Sequence, residues 1–453
     1  MESAGKLVRS GADQSVNRPN SRRPSEAPRE RLQSLPHELR LERLAGWTGV
    51  PRDDVDTLVT PEALPFETAD RMIENAVGVL GLPLGVALGV RVNGIDRVVP
   101  MAVEEPSVVA AQSLASGIVR RAGGFEAGSD APHMLGQIQL VGVADPQAAR
   151  ARLAEVAPSI LAEADAVHPN MARRGGGARR LEVRSLPETA CGPMLVVHLV
   201  VDVGDAMDAN AVNSMVEAVA PRVQAAVGGQ VRLRILSNLA DQRLARARAS
   251  IPVPLLGGGR FDGAEVADRI HEAWAFADAD PYRATTHNKG IMNGVDAVAI
   301  ATGNDWRGIE AGAHAYAART GHYRPLSAWE VRDGRLVGTI ELPMAVGIVG
   351  GNLELNPRAR LALRLLGVRS GRELAEVMAA VGLAQNLAAL RALVTDGIQR
   401  GHMALHARGL AAAAGAPPDL CETLVVRLVE SGEIKLAKAQ ELLATLQAQG
   451  EMR

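Results

Sequence analysis

From Leu39 to Thr60, polar and apolar positions recur with a helical period, which predicts a helical entry to the body of the chain. A dense block follows, MIENAVGVLGLPLGVALGVRVNG, in which glycines interrupt the apolar runs. Glycine at that density points to backbones that pack closely or approach a ligand. RVVPMAVEEPSVVAAQSLASGIVRRAGGF then reads as a strand, a turn at Pro106 and a helix. Ahead of all this, residues 1–36 are rich in Ser, Arg, Asn and Pro and lack an apolar period, the pattern of a disordered tail. Their arginines would suit a transit peptide, but Glu2, Asp13, Glu26 and Glu30 count against one.

Residues 136–236 can be parsed almost completely. GQIQLVGV is a strand, and Asp145 opens a helix that runs to about Asp165. RLEVRSL and MLVVHLVVDV are strands, DAMDANAVNSMVEAVA a helix with Val212, Met215, Val216 and Val219 as its buried stripe, and QVRLRIL the last strand. The order β-α-β-β-α-β is that of a ferredoxin-like unit. No G-x-G-x-x-G follows a strand here, so a nucleotide bound by this unit is held without a Rossmann fold.

After Asn238 the pattern predicts a helical stretch, a turn at Gly257–Gly259 and a helix ending near Asp278. The block PYRATTHNKGIMNGVDAVAIATGNDWRGIEAGAHAYAARTGHY comes next, with IATGNDW read as the end of an apolar strand. GRLVGTIELPMAVGIVGG alternates like paired strands, and from Arg358 the chain reads as helices broken at Gly401 and Gly415. The longest charge-free apolar run lies between Glu74 and Arg91, short of the ~18 residues of a membrane span and broken by Gly78, Gly81, Pro83, Gly85 and Gly89.

Composition narrows the class. Hydrophobic residues at 47% and charged residues at 22% are ordinary for a globular chain of 453 residues. A net charge of −2 provides no field for nucleic acid or an anionic membrane, so an anionic ligand must meet a local cluster of donors. Aromatics at 2% argue against base-stacking platforms. Cys191 and Cys421 are too few for a disulfide framework or a thiolate cage, and two reduced thiols fit a cytoplasmic protein.

Several polar residues stand in small apolar surroundings. Glu104 and Glu105 lie between MAV and PSVVAA, Lys289 in HNKGIMNG, and Asp305 in ATGNDW. Any one of them could be a solvated strand end. Three beside Gly, Pro or Asn turns point to convergence, and a carboxylate beside a buried lysine is a way to hold one group protonated at neutral pH. His402 and His406 share a face if GHMALHAR is helical, but Met403 replaces the glutamate of H-E-x-x-H, so no metal is expected. A histidine acid on a mobile C-terminal segment is the better functional reading. Asp205 reads as a helix N-cap with Asp208 as its capping-box partner, or else as the helix start that receives a pyrophosphate.

Taken together, ENxxG (Glu74, Asn75, Gly78), PMxxEEPS, a DAMGxN-like DAMDAN, THNKGIMNG, ATGNDWR, the GT-E-P-G-GG strands and GHM resemble the hydroxymethylglutaryl-CoA (HMG-CoA) reductases, in family order over about residues 40–450. The likeness is to the short bacterial class II, often degradative, which lacks a membrane domain. It implies an α+β fold: a large mixed catalytic domain (37–130 and 239–398), an inserted ferredoxin-like non-Rossmann nucleotide domain (131–238) and a C-terminal helical flap (399–453). It implies interconversion of HMG-CoA with mevalonate and CoA at the cost of two nicotinamide hydrides, through a mevaldehyde-level intermediate. It also implies an active site between subunits of a homodimer or larger homo-oligomer.

Carried over residue by residue, Glu105 is the catalytic acid, Lys289 the oxyanion stabiliser, Asp305 their coupling carboxylate and His402 the proton donor to the CoA thiolate. Ser107, Arg283 and Asn293 match positions holding the HMG carboxylate and hydroxyl, and Asp205 and Asn210 the nicotinamide side. Asp208 departs from the family glycine. A carboxylate near a pyrophosphate costs about 1–3 kcal/mol at an effective dielectric of ~20. The class points to NAD(H), while His168, Arg173 and Arg174 in VHPNMARRGGG tilt toward tolerance of NADP(H) if they lie near the ribose rather than in a solvated loop. The rival reading is a catalytically weak CoA-thioester-binding or assembly protein whose nucleotide site Asp208 has impaired.

Overall fold

The computed structural model describes residues 32–59, 64–395 and 397–451, with the side chains of residues 352, 354, 398–405 and 449–451 outside that description. Most of the expected tail therefore lies outside the described residues. Its end does not fit the expectation, because Leu32–Ser34 forms a 3₁₀ turn and Leu35 is buried. Three helices follow, α1 (His37–Thr48), α2 (Arg52–Asp56) and α3 (Phe66–Met72). Strands β1 (Leu84–Val92) and β2 (Ile95–Ala102) pair antiparallel, and α4 (Val108–Arg121) packs on them. A short strand, β3 (Glu126–Ser129), closes the first part.

The next unit runs β4 (His133–Val141), α5 (Pro146–Val167), α6 (Pro169–Arg173), β5 (Gly177–Leu186), β6 (Met194–Asp202), α7 (Ala209–Val227) and β7 (Gln230–Ser237). Its sheet has the order β5-β6-β4-β7, all antiparallel, which is the ferredoxin-like arrangement. Asp145 caps α5 by accepting from Gln147 N and Ala148 N at 2.9 Å. Val212, Met215, Val216 and Val219 of α7 are fully buried against the sheet, as their helical spacing requires.

Beyond it lie β8 (Leu244–Pro252), α8 (Gly263–Ala279), α9 (Pro281–Ala301), α10 (Trp306–Ala317), β9 (Ser327–Arg332) and β10 (Arg335–Pro343). The second sheet has the order β3-β8-β10-β9. The helices α11 (Pro357–Leu366), α12 (Gly371–Val394), α13 (Ile398–Ala413), α14 (Pro418–Glu430) and α15 (Leu436–Glu451) complete the chain. α12 is apolar and long enough to cross a membrane, yet it is mostly buried, packed on α4, α9 and β8 at the centre of the largest core. A second core lies under the ferredoxin-like sheet, and a third joins α13, α14 and α15.

Four local readings need correction. The stretch after Asn238 is the strand β8, where Ala247, Ala249 and Ile251 face inward and Arg246, Arg248 and Ser250 outward. Its two-residue alternation was the signal, hidden by the helix-favouring Ala and Arg. The segment before Asn304 is helix α9, because ATTHNKGIMNGVDAVAIA buries a helical face of small residues. The strand of GRLVGTIELPMAVGIVGG stops at Pro343. Gly401 lies inside α13, and the break falls earlier, at Gly397 with φ of 81°. Gly415 does end that helix.

Candidate active site

Lys289 projects from α9 because its two predecessors anchor the opposite side. Asp280 starts the helix by accepting from Arg283 N at 2.8 Å. His287 Nε2 lies 2.7 Å from Ser327 Oγ and 3.0 Å from Asn386 Nδ2, and Asn386 Oδ1 accepts from Trp329 Nε1 at 2.7 Å. Burial, aided by the Arg283 charge, pushes His287 down to about 3, so its ring is neutral. Asn288 donates to Arg324 O at 2.9 Å and accepts from Leu326 N at 2.9 Å. Sequence reasoning passed over this anchor, although the polar pair HN inside a buried run was its signal.

With that side fixed, Lys289 Nζ reaches Glu105 Oε2 at 2.8 Å, in the turn between β2 and α4. The side chains are 60% and 36% exposed, and an exposed ion pair contributes only about 0–1 kcal/mol to stability. Their pairing therefore contributes little to the fold. Ser107, two residues on, holds a left-handed φ of 73° and donates to Pro106 O at 2.5 Å. Asn293 lies one helical turn beyond Lys289 on the same face of α9. Arg283 stands in the first turn, half-buried, which lowers its pKa.

Asp305 is placed apart from this pair. It caps α10, accepting from Gly308 N at 3.1 Å, and among the described residues no hydrogen bond or ion pair joins it to Lys289 or Glu105. Asn304 N bonds Ala299 O at 2.8 Å, which keeps the turn at the far end of α9. Ten residues from Lys289 to Ala299 span about 15 Å of helix. His402 lies in α13, with its side chain outside the described residues, and His406 one turn on is exposed.

On the nucleotide side, a cavity of about 300 Å³ is lined by His168, Asn170, Met171, Arg174 and Asp208. His168 Nε2 is buried there with no hydrogen-bond partner among the described residues, a polar atom that suits a ligand hydroxyl or phosphate. Arg173 donates to Asn170 Oδ1 and does not line the cavity, so Arg174, whose Nε donates to Asn170 O at 3.1 Å, is its guanidinium. Asp205 is not the N-cap of α7. Its Oδ1 accepts from Gly371 N at 2.8 Å, and Asp208 takes the cap position with no side-chain cap bond. Asp208 has φ of 55°, the left-handed region where a family glycine costs nothing. Asn210 is exposed in the first turn of α7.

A lysine ammonium paired with a carboxylate, together with a polar cavity at a helix start in a ferredoxin-like unit, makes up the parts that carbonyl reduction with a dinucleotide calls for. The family model for hydroxymethylglutaryl-coenzyme A reductase matches residues 39–407. An Archaeoglobus fulgidus 3-hydroxy-3-methylglutaryl-coenzyme A reductase is 50% identical over 91% of this chain and 93% of its own. A Streptococcus pneumoniae reductase structure superposes with a TM-score of 0.78 at 43% identity, covering 92% of this chain and 99% of that one. A class II reductase structure from the same organism, bound to NADPH in open conformations, gives 0.77 at 44% identity, covering 91% and 100%. The chain belongs to the hydroxymethylglutaryl-coenzyme A reductase family, an oxidoreductase family whose class II structures share its mixed helix and sheet fold.

Proposed function

We propose that this chain interconverts HMG-CoA with mevalonate and CoA, with Lys289 and Glu105 at the reacting carbonyl. The 2.8 Å pairing of Lys289 Nζ with Glu105 Oε2 carries the reading. The carbonyl oxygen of the thioester gains negative charge as hydride arrives, and the Lys289 ammonium stabilises it. Glu105, a carboxylate in the resting ion pair, takes up a proton from solvent and passes it to the oxygen when the second reduction yields the alcohol. A reduced nicotinamide supplies one hydride in each of two steps. His402 protonates the departing CoA thiolate, whose ordinary pKa of ~8.5 makes it a better leaving group once a proton is at hand. Arg283, Ser107 and Asn293 hold the HMG carboxylate and hydroxyl.

Asp305 lies at the far end of α9 from the pair, so we assign it to a site completed by a second copy, in a homodimer or larger assembly. The exposed apolar segment supports a partner: Val77 and Leu80 are 98% and 95% exposed, and Ile73 also faces outward. On this reading residues 37–130 and 239–398 are the catalytic domain, 131–238 the nucleotide domain and 399–453 the flap. Cys191 and Cys421 are unpaired, in keeping with a reducing cytoplasm.

The cavity donors fit a nicotinamide dinucleotide, with His168, Asn170 and Arg174 toward the adenosine ribose and Asp205 and Asn210 on the nicotinamide side. His168 and Arg174 narrow a preference for NADH by suiting a 2′-phosphate, while Asp208 weakens both cofactors. The test follows absorbance at the nicotinamide band, with HMG-CoA plus NADH or NADPH, and with mevalonate, CoA and the oxidised forms. Turnover in either direction supports the reductase. Thioester binding without turnover would leave the rival binding or assembly protein.

A further inference from the structure

Arg243 stands in the loop between β7 and β8 and is only 5% exposed. Among the described residues its guanidinium forms no ion pair. One arm donates to Ala206 O at 3.2 Å and the other to Val346 O. Burial holds its pKa down to about 10, against the pull of Asp202 and Asp205. A buried cation is expensive, and an apolar side chain would fill the same space more cheaply. The charge is there for the two carbonyls it joins.

Those carbonyls belong to different strips. Ala206 is in the turn that leads into α7 and the polar cavity. Val346 is in the irregular segment 344–348 that follows β10. A further rung binds the strips, with Ile348 N donating to Asp205 O at 2.9 Å, and Met344 N ties the same segment to the Arg243 backbone, donating to its carbonyl at 3.0 Å. The approach is so close that a Cβ on Gly347 would fall 2.8 Å from Met207 N. On its other side, Gly347 N donates to Asn304 Oδ1 at 2.8 Å, and Asn304 directly precedes Asp305. Segment 344–348 is thus a strut with the cofactor-side turn on one flank and the Asp305 turn on the other.

We propose that Arg243 is a positioning residue that locks the 205–208 turn, through the 344–348 strut, at a fixed distance from Asp305. This rests on the reading that the 205–210 segment receives the cofactor. Arginine suits the task because its planar fork reaches two carbonyls in fixed directions, whereas a lysine ammonium is a point donor on a flexible stem.

The experiment compares Arg243→Lys, Gly347→Ala and Asp208→Gly in the full chain, measuring kcat, both KM values, the NADPH Kd by fluorescence and thermal stability. Arg243→Lys is expected to raise cofactor KM and Kd on the order of 10-fold and lower kcat on the order of 10- to 100-fold. KM for HMG-CoA should stay within about twofold. Gly347→Ala should act in the same direction, because its methyl group comes nearest to Ala206 and Met207 and presses on that turn while leaving the Arg243 side chain in place. It carries the test with the same outcomes should Arg243→Lys fail to fold. Variants that lose thermal stability but keep wild-type constants would overturn the proposal and leave Arg243 a packing cation. A cofactor Kd that responds to Asp208→Gly but to neither strut variant removes the strut alone. Indifference to all three removes the strut, and a wild-type chain that binds no NADPH removes the cofactor reading with it.

Discussion

Asp296 on α9 and Glu310 on α10 meet carboxyl to carboxyl, and burial, with the hydrogen bond and charge of Glu310, pushes Asp296 from 3.8 up to about 9. Two carboxyls in hydrogen-bond contact disfavour joint ionisation, so a proton held on Asp296 links the Lys289 helix to the helix that Asp305 caps. His314 Nε2 lies 2.6 Å from Glu310 Oε2, and its Nδ1 lies 2.7 Å from the Tyr323 hydroxyl, so these are the groups that face the pair.

The sign of the pH dependence follows. The folded chain keeps a proton on Asp296 that the unfolded chain releases above its ordinary value of 3.8. The link contributes fully below pH ~4 and its contribution is lost as pH rises toward ~9. Asp296→Asn supplies an N–H and no charge. Its melting temperature should exceed that of wild type at pH 8, and the gap should close as pH falls toward 5. Melts across that range check this, and a gap indifferent to pH would place the proton elsewhere.

Elements with strong periodicity were legible in the sequence. The ferredoxin-like unit could be read because its strands alternate or, in MLVVHLVVD, run apolar, and each helix has a buried stripe, Val212 to Val219 being the plainest. β8 was not legible, because Ala and Arg favour helices and only burial on one sheet face makes LARARASI a strand. The Lys289–Glu105 pair was foreseeable as chemistry but not as contact, since 184 residues separate the two. Arg243 and Asp296 gave no sign, because one buried Arg or Asp in a sequence looks like any solvated one. Asp205 was misread for a related reason. A capping pattern says where a carboxylate can help, and the partner Gly371 comes from a distant helix.

Lys289→Ala tests the oxyanion assignment. The pair is largely exposed, so its loss should leave the melting temperature within about 1–2 °C of wild type. Turnover should fall about 100- to 1000-fold, as when one oxyanion donor is removed elsewhere. A folded variant with a third of wild-type turnover would refute the role.

His402→Gln separates the two reductions. Only the first releases a thiolate, so reduction of HMG-CoA should suffer far more than reduction of free mevaldehyde. Equal losses would give His402 another task. His406→Gln, one turn further along α13, should be the milder change.

Asp208→Gly separates strain from charge at the start of α7. With φ at 55° and no cap bond, Asp208 carries a left-handed backbone without the usual return of an N-cap. Glycine relieves about 1 kcal/mol there, less than a bulkier residue would release because Asp tolerates this region. The melting temperature should rise by about 1–3 °C. Cofactor binding reports the charge. Removing a carboxylate from beside phosphates at an effective dielectric of ~20 is worth about 1–3 kcal/mol, or about 5- to 150-fold in Kd. Because the cavity is open to solvent, the gain should sit at the low end and shrink further as salt is raised. NADPH should gain more than NADH, since its extra phosphate adds charge beside His168 and Arg174 in the same cavity. Titrations of both cofactors at low and high salt read this out. A higher melting temperature with unchanged affinities would mean that the carboxylate points away from the phosphates and that Asp208 only begins the helix.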